Sequence, residues 1–141
     1  MAYNSFKDKG EVIAAVSGHL DPGPAEATVQ IGGTQDGKGW SFYGKAWIAV
    51  DFTYSDATEI QCVVSFGPSS TEVYPVQAQD GSSPPDVTLS DQIFKKAVTG
   101  DDTWLFEVPM GGQYMKLSFS AIFAAVSPKT DNVGVRVLVA D

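Results

Sequence analysis

The fold class this sequence predicts is all-β: an antiparallel β-sandwich, jelly-roll-like, of about eight or nine short strands. Two observations carry the prediction. Apolar residues recur at every second position almost throughout, the period of a strand with one face buried and the other in water. Between these runs stand clusters of turn formers: Asp21-Pro22-Gly23-Pro24, Asp80-Gly81-Ser82-Ser83-Pro84-Pro85, Thr99-Gly100-Asp101-Asp102 and Met110-Gly111-Gly112. No internal repeat or linker divides the 141 residues, so residues 1–141 are expected to form one sandwich domain.

Taken in order, the chain opens on MAYNSFKDKG, with two lysines and the aromatics Tyr3 and Phe6. Alone such a segment is poorly ordered. Residues 1–10 are therefore either an arm that orders on a neighbour or the start of a first strand in which Phe6 fills a core edge. Residues 11 to 16 and 27 to 31 are weaker strand candidates. Ile48, Val50, Phe52 and Tyr54 share one face, as do Ile60, Cys62, Val64 and Phe66. Ser55-Asp56-Ala57-Thr58 separates these runs, and a hairpin is expected to join them. Residues 71 to 77 and 86 to 89 follow as candidates. Ser90 to Val98 opens with an N-capping residue type and has room for one or two helical turns at most. Over 103 to 108, Trp104, Phe106 and Val108 fall on one face and are expected in the core. The clearest strands come last: Met115, Leu117, Phe119, Ala121 and Phe123, then Val133, Val135, Val137 and Val139. The alternation puts Ile48, Val50, Phe52, Cys62, Val64, Leu117, Phe119, Val135 and Val137 inside.

Composition narrows the function classes. Seventeen acidic residues against nine basic ones give a formal charge of −8, spread without runs. Nucleic-acid binding leaves a basic patch or stripe, so no nucleic-acid partner is expected. The single cysteine allows no intrachain disulfide. No stretch has the apolar length of a membrane span or a signal-peptide core, and the expectation is a soluble, unexported product with no membrane partner.

Motifs for chemistry are weak. Gly32 to Gly39, GGTQDGKG, falls one residue short of a phosphate-binding P-loop: Gly39 stands where a magnesium-ligating hydroxyl belongs. The following Trp40-Ser41-Phe42-Tyr43-Gly44 is not the helix that would complete the anion site. His19, the sole histidine, precedes a turn, and one histidine with one cysteine does not make a metal site. Cys62 runs in phase with Ile60 and Val64, as a small core residue does. Asp101 and Asp102 are adjacent and would point to opposite faces of an extended chain. With no nucleophile–base pair and no ligand spacing, neither enzymatic activity nor a cofactor or metal is expected. The aromatics around the glycine loop leave one binding alternative, a carbohydrate-binding sandwich in which Trp40 and Tyr43 stack on sugar rings. Against it, Phe42 and Trp47 would plug an open end of the sandwich.

The last third of the chain suggests a family. Leu105-Phe106-Glu107-Val108-Pro109-Met110-Gly111-Gly112-Gln113-Tyr114-Met115-Lys116-Leu117-Ser118-Phe119, a polar loop, and Val133-Gly134-Val135-Arg136-Val137-Leu138-Val139-Ala140-Asp141 resemble the end of a tailed-bacteriophage capsid cement, or decoration, family. There a strand ending in Leu-Pro leads through a glycine turn to an Arg-Tyr-Leu-Arg-Leu-like strand and a closing Val-rich strand. Ser5-Phe6-Lys7-Asp8 and the apolar run after it also look like that family's start. Gln113 and Lys116 stand where the family has a more basic pair, and residues 32 to 45 are longer and more aromatic than its usual first connection. The resemblance implies a jelly-roll-like sandwich, commonly a homotrimer. It would be made in the host cytoplasm and sit on the outside of an icosahedral shell, in the virion, clamping major capsid protein subunits. On that reading the candidate protein contacts are Tyr3, Phe6, Lys7, Lys38, Trp40, Tyr43 and Lys45, on the N-terminal segment and an adaptable glycine loop.

Overall fold

The computed structural model describes residues 6–15, 20, 24–32, 34–35, 40–41, 45–53, 57–78, 90–91, 93–109, 112–123 and 131–140. Its strands are β1 (Phe6–Ile13), β2 (Ala25–Gln30), β3 (Thr34–Gln35), β4 (Trp40–Ser41), β5 (Lys45–Thr53), β6 (Ala57–Ser69), β7 (Glu72–Pro75), β8 (Gln77–Ala78), β9 (Ser90–Asp91), β10 (Ile93–Ala97), β11 (Asp102–Pro109), β12 (Tyr114–Phe123) and β13 (Asn132–Ala140). Two sheets hold most of them. One is four-stranded, in the order β1-β13-β5-β11. The other is five-stranded, in the order β10-β6-β12-β2, with β7 also paired to β6. All pairings are antiparallel, including the short ribbons β3-β4 and β8-β9.

The long strands change sheet at nearly every step: β1 to β2, β2 to β5, β5 to β6, β10 to β11, β11 to β12 and β12 to β13. Only β6 and β10 stay in one sheet, and the last strand lies beside the first. This is the path of a jelly roll.

Alternation explains the core. In β5, Ala46, Ile48, Val50 and Phe52 are buried, and they pair with Val139, Val137, Val135 and Val133 of β13 in an unbroken register. Facing them in the other sheet are Ile60, Cys62, Val64 and Phe66 of β6 and Met115, Leu117, Phe119 and Ala121 of β12. The nine residues that the alternation puts inside, Ile48, Val50, Phe52, Cys62, Val64, Leu117, Phe119, Val135 and Val137, are all buried. Fully burying side chains of this size stabilises by about 1.5–3 kcal/mol each. Leu20, in no alternating run, and Ile31, one residue past β2 at the end of the run Ala27, Val29, Ile31, are fully buried as well.

The structure corrects several expectations. The runs around Val50 and Val64 do not form a hairpin. β5 is already paired on both sides by β13 and β11, and β6 by β10 and β12, so neither has an edge left for the other and they face one another across the core. Ala57 and Thr58, read as turn residues, begin β6. Asp131 Oδ1 accepts the Ala57 amide at 3.3 Å, and the Thr58 hydroxyl donates to the Ile122 carbonyl at 3.2 Å. Within Ser90 to Val98, Ser90–Asp91 and Ile93–Ala97 are strands rather than helical turns, and β10 takes its backbone partners from β6, Ile93 to Val63 through Ala97 to Glu59. A segment too short to hold a helix alone gains more from an open sheet edge.

Trp104 and Phe106 are half-buried rather than sealed in the core. They wall one margin of the sandwich: Phe106 stacks on Phe94 of the opposite sheet (centroids 4.9 Å, 24° between planes) and on Trp104 (4.4 Å, 33°). Lys96 Nζ reaches Asp102 Oδ2 at 3.3 Å along the same margin and joins β10 to β11.

Residues 6–10 belong to β1, so the possible N-terminal arm does not extend through residue 10: Phe6 pairs with Ala140 and Lys7 with Val139. The strand bulges between Asp8 and Gly10, where Gly10 has φ 82° and its amide donates to Asp8 Oδ1 at 2.7 Å. Positive φ at a bulge suits glycine.

Candidate protein-contact surface

Of the contact candidates chosen from sequence, Tyr3, Lys38 and Tyr43 lie outside the described residues. Phe6 and Lys7 are placed by their backbones in β1, and Trp40 in β4, where it pairs with Gln35. Lys45 opens β5. One row of the four-stranded sheet runs Phe6, Ala140, Lys45, Pro109, so the fold brings two of the candidates to the same level of the same sheet.

From Lys45 the outward face can be built residue by residue. Residues that alternate with the buried ones in β5 are Lys45, Trp47, Ala49 and Asp51. Their register partners are Leu138, Arg136 and Gly134 in β13 and Glu107, Leu105 and Thr103 in β11. Trp47 thus lies beside Leu138 and diagonally from Leu105, in reach for cross-strand packing. This corrects the expectation that Trp47 plugs an end of the sandwich, because its parity along β5 is opposite to that of Ile48 and Val50. The comparable expectation for Phe42 lies outside the described residues. Leu105 is 65% exposed between two inward aromatic neighbours. The Lys45 ammonium sits 5.1 Å from the Trp47 ring centroid, a cation–π contact that holds the ring against the sheet.

The charges on this face divide into tied and untied. Arg136 Nη1 binds Asp8 Oδ2 at 2.8 Å. The Asp8 carboxyl is held below its ordinary range, first by the Gly10 amide and then by Arg136, with partial desolvation opposing. Glu11, across from Arg136, together with Asp51 and Glu107, makes no ion pair among the described residues.

Groups that could do chemistry are placed otherwise. Cys62 is buried, and loss of water pushes its thiol up to about 12 despite a backbone hydrogen bond at Ser118 that lowers it. At neutral pH it is a protonated core side chain, not a nucleophile. His19 lies outside the described residues. Among the described residues, no group of three or more His, Cys, Asp and Glu side chains is arranged to hold a metal ion. The face built on Trp47, Leu105 and Leu138 was missed in choosing contact residues, although the period of β5 and the place of Leu105 between Trp104 and Phe106 already pointed these side chains outward.

No family model matches the chain, and no curated relative does. Among solved structures it is similar to the crystal structure of the SPBc2 prophage-derived protein YomS, at 13% identity and a TM-score of 0.45, over 100% of this chain and 97% of that one. A likeness of that size says nothing about activity or partners.

Proposed function

We propose that this chain is a capsid decoration protein, which binds the outside of an icosahedral phage shell and stabilises contacts between major capsid protein subunits. The observation that carries the reading is where the family resemblance falls in the fold. Leu105 to Phe119 is the crossing from β11, at the edge of one sheet, to β12, in the middle of the other, and Val133 to Ala140 is β13, in the middle of the first. The similar segments therefore form the frame of a jelly roll, an architecture that viral capsid domains use. Fold alone does not fix function, so the reading depends on the resemblance as well as on the architecture. A clamp of this kind works by binding alone and requires no catalytic group.

Assembly as a trimer belongs to the same proposal. Val63 and Ile93 are register neighbours on the outer face of the five-stranded sheet, where they offer apolar area to another copy.

Co-sedimentation tests the function. The reading expects a neighbouring gene to encode a major capsid protein; the purified chain is mixed with undecorated shells of that protein, and the two are expected to pellet together at a fixed stoichiometry. A chain left in the supernatant contradicts the proposal. Jelly rolls also serve as lectins, and the sugar-binding alternative predicts that soluble glycans quench tryptophan fluorescence in a manner lost with Trp40→Ala. The decoration reading expects no such response.

A further inference from the structure

We propose that the outer face of the four-stranded sheet, centred on Trp47, Leu105 and Leu138, is the surface that grips the shell, and that it receives a protein ridge of apolar side chains flanked by lysine or arginine. This rests on the decoration reading above and assigns its contact face.

Three features of the face argue for such an occupant. The first is apolar area in the right place. Leu105, Ala49, Trp47 and Leu138 are contiguous by register across β11, β5 and β13, and Leu105 is 65% exposed. Contiguous exposed apolar area rimmed by polar groups marks interaction sites, and buried aromatic anchors dominate the energy of such contacts.

The second is rigidity. β5 pairs with β11 and with β13 without a bulge, and Lys45 pins the Trp47 ring. Little backbone freedom remains to be lost on binding.

The third is charge. Arg136 and Lys45 are engaged within the face, Arg136 with Asp8 and Lys45 with Trp47, while Glu11, Asp51 and Glu107 border the apolar centre without ion pairs among the described residues. A negative rim around an apolar centre complements a ridge with basic flanks. A second copy of this chain would bring the same negative rim and a formal charge of −8 toward its own kind, which disfavours self-pairing on this face.

The test uses the full chain, the same shells, and three variants: Leu105→Glu, Glu107→Lys, and, as a control, Ser70→Glu in the exposed turn that joins β6 to β7. All three positions are exposed, so melting temperatures should stay close to that of the parent. Leu105→Glu and Glu107→Lys should each weaken shell binding by about tenfold or more at low salt, and the control should leave it unchanged. Higher salt should weaken the parent's binding and narrow the gap between it and Glu107→Lys. If the parent binds and both face variants bind equally well, the surface assignment is overturned and the decoration function stands. Tighter binding by Glu107→Lys overturns the basic ridge. A change in oligomer mass with Leu105→Glu, without loss of shell binding, makes the occupant a second copy and overturns the assignment to the shell. A parent that does not bind shells overturns the function and this surface together.

Discussion

Phe119 is the largest fully buried side chain, held between Cys62 and Ala25 by the register of β12 with β6 and β2. Phe119→Ala should therefore cost about 3–5 kcal/mol, through lost transfer energy and the cavity left behind. Urea denaturation checks this, and a cost near zero would remove the ring from the core. Gly67 fails for the opposite reason: a Cβ there would fall within bonding distance of the Glu72 backbone, where β6 bulges against β7. Because the obstacle is backbone, Gly67→Ala should destabilise by at least about 1–3 kcal/mol in the same assay. At Asp8 the effect depends on pH. Its pKa is lowered on folding, so its stabilising contribution is present above the unfolded value of about 3.9 and is lost as the pH falls through the folded value. Asp8→Asn should lower the melting temperature slightly at neutral pH, and the difference from the parent should close as the pH falls through the lowered folded value. Cys62, protonated and dry, should react with a thiol reagent only as fast as the protein opens, with full reactivity in denaturant.

Among the elements, β5, β6, β12 and β13 were legible in the sequence because each has one buried face and alternates cleanly. Their pairing was not, since alternation says which face is inward and nothing about the sheet to which a strand belongs. That is why a hairpin was expected between β5 and β6 where the chain instead crosses the core. β10 was obscured differently. Ile93-Phe94-Lys95-Lys96-Ala97 reads as either period, and the decision came from a free edge on β6 and from Phe106 across the sandwich. Of the contact candidates, Lys45 led to a described surface; of the aromatic stretch from Trp40 to Tyr43, Trp40 and Ser41 are described, as β4. β1 supplies a further prediction. Because Phe6 and Lys7 are rungs of the ladder with β13, deleting residues 2–7 should lower the melting temperature before it affects binding. An unchanged melting temperature would return residues 6 and 7 to the role of an arm.

At the scale of the molecule, a jelly roll presents two outer faces of different character. One carries Trp47, Leu105 and Leu138 within an acidic rim; the other carries Val63, Ile93 and Ile122 among neutral polar residues, lysines, Glu59 and the Lys116–Glu26 pair at 3.0 Å. The account gives the first to the shell and the second to neighbouring copies. Sedimentation at micromolar concentration should give the mass of a trimer, and a strict monomer would confine self-association to the shell surface. The central claim, that this sandwich decorates a shell, is tested most directly by electron cryomicroscopy of undecorated shells incubated with the purified chain. A repeated β-sandwich density is expected on the outside, with the β1-β13-β5-β11 sheet turned toward the capsid. Shells that stay bare under saturating protein would contradict it.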